Sequence, residues 1–464
     1  MTALAVAVYG VLLVCAAVLV WRRPVTALYL WIVGLAVHNA VMAALYGAGV
    51  HGSVLTAIQA WKEILLAVAF ARVAFDAVRR RRLPFRPGLV DALALAFAAV
   101  VCLYAVIPQS TLGGAADRHA IGLALKHDLV PVAAFILGRC LSIDRREFLR
   151  LCWTVVVVAA GVAVLGLLDD YLVPIGWWRS SAVVDYFHKQ LGYDYNGTGG
   201  LPENFVYNTG SEDHFLRRLV SVFLSPLASA YLLAVALLLT AVLIRLRARV
   251  LAGIAVVVGV ALLFTFSRSA LIALAAGFVV LAVAWRRWWP VAAAVATIAI
   301  SIGWVHVFPD VAPTGKWTAR DLQLGRANAA KHPNASGNPG STNEPSIRSH
   351  LTSLREGART VVDHPQGFGL GNAGQTASRT ETPIKAGESN YTELGVETGL
   401  AGALLWIAWN LAVLARLLRW APAVAAAFAA ALVLAVQTDV IGDPWMAYVL
   451  WALAGLSLRP LALA

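Results

Sequence analysis

Arginines give the first chemical signal. Arg217 and Arg218 stand at the start of one apolar run, Arg268 lies in the tight Ser267-Arg268-Ser269 hairpin between two others, and Arg348, Arg355 and Arg359 share a later amphipathic stretch. A guanidinium is planar, stays charged at any working pH and holds phosphate oxygens in pairs, so several converging on one mouth would suit a pyrophosphate. The plainer readings are snorkelling anchors for Arg217 and Arg218 and a solvated helix face for Arg348, Arg355 and Arg359. A second group lies inside apolar runs, where charge is costly and marks function by default: Lys62-Glu63, and Lys126-His127-Asp128. Both are about eight residues into their runs, about 12 Å deep at 1.5 Å per residue. Either they neutralise one another across helices, or Lys62 and Lys126 line a cationic cavity that opens outward.

The elements that must position these groups are membrane spans. The chain has 464 residues, 60% of them hydrophobic and 13% charged, with a mean hydropathy of +0.73. Its apolar runs recur at the length of transmembrane helices, about 12–13 of them. The expected fold is therefore an all-α polytopic integral membrane protein. The net charge of +12 comes largely from arginines between spans, as in Arg79–Arg82, Arg145-Arg146 and Arg286-Arg287. That is the positive-inside signature, so no nucleic-acid partner is expected. Cys15, Cys102, Cys140 and Cys152 show neither disulfide nor ligand spacing.

Parity of the spans places two polar segments on the side opposite the arginines. The expected organisation is an N-terminal transmembrane bundle (1–168), an external loop (169–217), a central bundle (218–307), a large external loop with a lid or catalytic role (308–389) between the tenth and eleventh spans, and C-terminal helices (390–464). The last two spans are short, and the pair is open to a re-entrant reading. In the large loop, residues 316–344 read as irregular and 347–362 as a helix that Ser346 would cap. Gly367, Gly369 and Gly371 read as hinges and His364 as a turn residue before Pro365. The 169–217 loop, with Tyr171, Trp177, Trp178, Tyr186, Tyr193 and Tyr195, has a composition that suits sugar faces or lid packing. Trp285, Trp288, Trp289, Trp406, Trp420 and Trp445 fall near span ends, as an interfacial belt would.

Three stretches then resemble the O-antigen ligase and O-antigen polymerase superfamily of bacterial envelope glycosyltransferases. They are Arg218 to Tyr231 with Pro226, Thr265-Phe-Ser-Arg268-Ser-Ala270, and Arg348 followed by His364-Pro365, the glycine turn and Ser389-Asn-Tyr-Thr-Glu-Leu-Gly-Val-Glu397-Thr-Gly399-Leu-Ala-Gly402. The resemblance implies a GT-C-like architecture in the bacterial cytoplasmic (inner) membrane, with the active site facing the periplasm or exterior. It implies a polyprenyl-pyrophosphate-linked glycan donor and a glycan or glycolipid acceptor. Arg218, Arg268 and Arg348 would grip the pyrophosphate, with Arg217, Arg355, Lys62 and Lys126 as further contacts, and Asn390 and Tyr391 would sit at the substrate. Ligases of this type usually carry a histidine eleven residues before the glycine matching Gly399; here Glu388 holds that place. A carboxylate can also take a proton from an acceptor hydroxyl, so Glu388 is the expected base and the ligase subtype is open. No cofactor or metal is expected.

The rival reading is a polytopic transporter or lipid-linked oligosaccharide flippase. Mid-depth charge and span count suit it. Against it stand the lack of an inverted repeat or of a matched pair of broken helices in the sequence pattern.

Overall fold

A computed structural model describes residues 2–193, 201–202, 204–208, 211–243, 248–331, 341, 343–385 and 389–458. Among them, nine helices are long and apolar enough to cross a membrane, or ten if the bent pair Gly52–Gln59 and Trp61–Arg80 is one span; Ala248–Phe264, Pro422–Leu434 and Met446–Leu456 are shorter apolar helices. The all-α polytopic expectation holds.

A small antiparallel sheet fixes part of the topology. Strands β1 (Val206–Tyr207), β2 (Phe215–Arg217) and β3 (Thr314–Gly315) lie in the order β1-β2-β3. Pairing of Phe215 with Gly315 and Leu216 with Thr314 holds the two polar segments together, at one end of the helices between them. The chain between them must cross an even number of times. Three of its helices, Pro226–Leu243, Arg268–Trp285 and Trp289–Val311, pass the length test. Ala248–Phe264, at 17 residues, is therefore the fourth crossing, at the short end of the length a bilayer demands.

The C-terminal end is different. The Asn390 amide donates to the Ala435 carbonyl at 3.1 Å, which sets the start of the Asn390–Trp420 helix level with the end of Pro422–Leu434. Thirteen residues of helix cover only about 20 Å, against about 30 Å of hydrocarbon. The turn that follows is buried in protein, with Val440 and Ile441 inaccessible. Irregular backbone at such depth must be satisfied internally. The Asn390 side chain does this, its Oδ1 accepting from the amides of Val440 at 2.8 Å and Ile441 at 3.3 Å.

Two apolar helices are interrupted, a departure from the sequence expectation. Gly52–Gln59 and Trp61–Arg80 meet at 41°, just before Lys62 and Glu63. The Asn390–Trp420 helix is broken at Gly399, with φ 70° and ψ 179°.

The core also corrects the tryptophan belt. Trp406 and Trp445 are fully buried. Trp406 packs at centroid distances of 5.1–5.9 Å against Phe97, Trp409 and Trp451, where helix contacts outbid the interface. Trp288 is 80% exposed and Trp420 49%, as a belt position requires. The 169–217 segment has its own core, in which Trp178, Tyr186, Phe187, Phe205 and Phe215 pack on Met42, Leu55 and Ile58. Trp178 and Tyr186 are therefore packing residues.

Candidate functional site

Arg218 and Arg268 come together. Arg218 follows β2, is buried, and donates through Nε to the Thr265 carbonyl at 2.9 Å. Arg268 starts its helix and donates through Nη2 to Glu344 Oε2 at 3.2 Å. Burial, and then the charge of Arg268, lower the Arg218 guanidinium to about 10, so it stays protonated at neutral pH. Tyr207 of β1 completes the group: burial, and then the Glu344 carboxylate, push its phenol up, while Arg268 and Arg218 oppose this.

Glu344 also starts the helix Pro345–Asp363. It is the N-cap, its Oε2 accepting from the Ile347 amide at 2.9 Å, and Pro345 takes the first helical position. This corrects Ser346 as the cap. Arg348 lies one turn on from Glu344; its side chain is exposed and makes no hydrogen bond or ion pair among the described residues. Arg355, two turns further, is exposed as well. The opposite face packs on the broken helix, where a side chain added at Gly357 would meet Thr392 at 2.8 Å and one at Gly395 would meet Val361 at 2.7 Å.

The glycine turn repairs the break at Gly399. A non-helical Gly399 leaves carbonyls of the preceding turn without helical partners. The amides of Phe368 and Gly369 reach the carbonyls of Val396 at 2.6 Å and Glu397 at 3.1 Å, and the Leu400 amide donates to Pro365 at 2.8 Å. Gly367, Gly369 and Gly371 all take positive φ, which permits this close approach. The Glu397 side chain holds the far end, Oε1 accepting from the Gly371 amide at 2.9 Å. His364 stacks on Phe368 and places Nε2 3.0 Å from the Leu112 carbonyl, a turn residue as expected.

Next to that turn is a cleft lined by His127, Asp128, Gln375, Thr376, Glu393 and Asp439, among others. His127 bridges two carboxylates, with Nδ1 2.8 Å from Asp128 Oδ1 and Nε2 3.0 Å from both Asp439 oxygens. Asp439 Oδ1 also accepts from Asn390 Nδ2 at 2.6 Å and from the Gly442 amide at 2.9 Å. By contrast, Asp128 Oδ2 and Glu393 Oε1 are buried without a hydrogen-bond donor among the described residues. An unpaired buried acceptor costs about 1–3 kcal/mol, and more when charged. The Tyr231 hydroxyl is 2.7 Å from Thr438 Oγ1, next in sequence to Asp439, and Tyr231 is close enough to Arg218 to act on its charge.

Other expected site residues are structural here. Arg217 caps the end of the Arg145–Leu172 helix, Nη1 donating to the carbonyls of Asp170 at 3.0 Å and Val173 at 2.6 Å, and it faces Asp169 and Asp170. A cation suits exposed helix-end carbonyls, so Arg217 is spent on the fold. Asn390 is buried in the turn it braces, and the Tyr391 hydroxyl donates to the Leu432 carbonyl at 2.9 Å. Lys62 donates to the Gln59 carbonyl at 2.9 Å, and both Lys62 and Lys126 lie 3.6 Å from Glu63. Glu63 neutralises Lys62 within its own helix and Lys126 across to the neighbouring one, although half of the Lys126 side chain is exposed. Glu388 and Tyr195 lie outside the described residues. Glu344, Glu393 and Asp439 were not singled out from the sequence. An acid pair four residues apart, Glu393 and Glu397, in a run that otherwise turns apolar was the available signal.

Residues 253–407, a third of the chain, match the family model described as "O-Antigen ligase" (Wzy_C). The match supports the O-antigen ligase and polymerase superfamily and a glycan-handling membrane enzyme of the ligase type. It contains Arg268, Glu344, Arg348, Glu393 and Glu397. A comparison with curated proteins returns no significant match.

Proposed function

We propose that this protein transfers a glycan from a polyprenyl-pyrophosphate carrier to a hydroxyl of an acceptor glycan or glycolipid, at the outer face of the bacterial cytoplasmic membrane. The observation that carries the reading is the meeting of Arg218 and Arg268 beside Glu344, with Arg348 exposed one turn along the helix that Glu344 caps. The carrier diphosphate is already a good leaving group, so the work is positioning and stabilising developing negative charge, for which preorganised guanidinium groups suffice. Glu388 takes the acceptor proton. Direct displacement inverts the anomeric centre.

The test uses purified protein in detergent with a polyprenyl-pyrophosphate-linked oligosaccharide, following release of carrier pyrophosphate with EDTA present. Release that survives chelation and collapses in Arg268→Ala and Glu388→Gln supports the reading, and product length separates polymerase from ligase. No release from well-folded protein with several carriers and acceptors sinks it. The second reading, transport, is favoured by the break that falls beside Lys62 and Glu63; flux of a lipid-linked oligosaccharide across liposomes would establish it.

A further inference from the structure

The donors gathered on Glu344 are those of an anion site that the protein fills with its own carboxylate. Glu344 Oε2 accepts from Arg268 Nη2 at 3.2 Å and from the Ile347 amide at 2.9 Å, and Oε1 stands 3.5 Å from the Tyr207 hydroxyl. A guanidinium, an amide at a helix N-terminus and a hydroxyl are also what holds a phosphate oxygen.

Beside these donors are others with nothing to hold. Arg218 is only 9% exposed and uses Nε alone, on the Thr265 carbonyl; its two Nη groups make no hydrogen bond or ion pair among the described residues. Buried guanidinium donors without a partner are costly and call for an anion. Arg218 is close enough to Arg268 and Tyr207 for their charges to act on it, so its unpaired donors adjoin the ones that Glu344 occupies.

Charge identifies the ligand. A lipid-linked glycosyl diphosphate carries one negative charge on each phosphate, two in all, and Arg218 and Arg268 supply two positive ones. With Glu344 in place, one of these is already neutralised. Tyr207 is held independently of Glu344: β1 pairs it with Leu216, and its ring packs at 4.8 Å on Phe266, which stacks on Phe308 at 4.2 Å. Its hydroxyl therefore stays at the site when the carboxylate leaves.

We propose that Glu344 is a placeholder for one phosphate of the donor: the carboxylate fills the subsite in the empty protein, and the incoming phosphate displaces it, taking Arg268, the Tyr207 hydroxyl and the Ile347 amide in its stead. Tyr207 is then a substrate-binding residue. Because the displaced residue is the N-cap of Pro345–Asp363, donor binding acts on the helix that carries Arg348 one turn further on. The assignment rests on the glycosyl-transfer reading for the source of the phosphate.

The experiment is titration calorimetry of the detergent-solubilised chain, in EDTA, with inorganic pyrophosphate and with polyprenyl pyrophosphate. The variants are Glu344→Gln, Glu344→Asn and Tyr207→Phe, the last alone and combined with Glu344→Gln, each checked for fold by melting. Both Glu344 variants keep an oxygen for the Ile347 amide and lose the charge, so one replaces the other should it fail to fold. Tyr207→Phe keeps the ring contacts. A placeholder and a merely supporting residue differ in the sign of the effect. The neutral Glu344 variants are expected to bind both ligands about tenfold more tightly than wild type, and Tyr207→Phe to weaken binding by about fivefold in either background. Unchanged or weaker binding in the folded neutral variants, no binding of either ligand to any form, or binding indifferent to Tyr207→Phe overturns the proposal. A gain confined to the inorganic anion overturns it too, since the donor is lipid-linked. Tighter binding of both ligands without carrier release from any lipid-linked oligosaccharide would sink the transfer reading and leave the phosphate site standing.

Discussion

Arg268 and Glu344 form a hinge between chemistry and architecture: the Glu344 oxygen that accepts from Arg268 at 3.2 Å also accepts from the Ile347 amide at 2.9 Å. One carboxylate thus orients a guanidinium and starts the Pro345–Asp363 helix. Removing Arg268 should leave the cap in place, whereas removing Glu344 should disturb both.

Arg268→Ala is accordingly expected to fold and to lose about 10²-fold or more in the rate of glycan transfer, the scale seen when one preorganised charge-stabilising donor is removed. Glu344→Ala is expected to lose activity and also about 1 kcal/mol of stability, as a lost N-cap does. Carrier release and thermal melting, measured on the same preparations, check this. Equal melting temperatures for the two variants would refute the double role.

The adjacent arginines should separate. Arg217 is buried against helix-end carbonyls and Asp169 and Asp170, so Arg217→Ala leaves that end and two acids without their cation, a loss of about 3 kcal/mol. Protein that still folds should keep most of its turnover. Arg218→Ala should do the reverse where it folds, with turnover falling by at least the Arg268 factor. A turnover loss in folded Arg217→Ala as large as in Arg218→Ala would contradict the assignment.

Gly399 is predicted to be irreplaceable on structural grounds. Its φ of 70° and ψ of 179° lie in a region that is essentially glycine's alone, at a cost of about 1–3 kcal/mol for other residues. An added side chain would also meet the Pro365 carbonyl oxygen at 2.6 Å. Gly399→Ala should lower the melting temperature and expose the glycine turn to protease. Intact protease resistance would show that the turn does not depend on the break.

Alkaline pH gives a fourth check. The folded Arg218 guanidinium, lowered to about 10 by burial and then by Arg268, loses its proton well before an unfolded arginine does. Between those values the unfolded state binds more protons, so this group's contribution to stability rises with pH while its grip on a pyrophosphate falls. The pH profile of kcat/KM should therefore show an alkaline limb near 10 without accompanying unfolding. A flat profile to pH 11 in folded protein would remove Arg218 from the reaction.

Legibility in the sequence followed the range of the interaction. Span positions follow from local hydropathy, and Arg218 and Arg268 could be placed at one membrane face by counting crossings. Pairing of Lys62 and Lys126 with Glu63 was readable as an alternative because equal depth suffices to suggest it. The bridge from His127 to Asp439 joins positions 312 residues apart, with nothing local to announce it. Strands of two or three residues are too short for a period-two signal. Glu344 ended a stretch whose composition reads as irregular, and its role appears only when Arg268 is opposite. The bend after Gln59 carries neither glycine nor proline at the break, Ala60, so no breaker marks it.

The sheet also sets an order of synthesis. β2 must wait for β3, which follows only after four helices have been made and inserted. At about 5–20 residues per second, roughly one hundred residues take on the order of ten seconds. During that interval Phe215 lacks the Gly315 strand, and the Arg217 amide lacks the Pro313 carbonyl that it later holds at 2.7 Å. The nascent chain therefore carries an open apolar strand edge, and the small sheet closes as one late event after the central helices are in place.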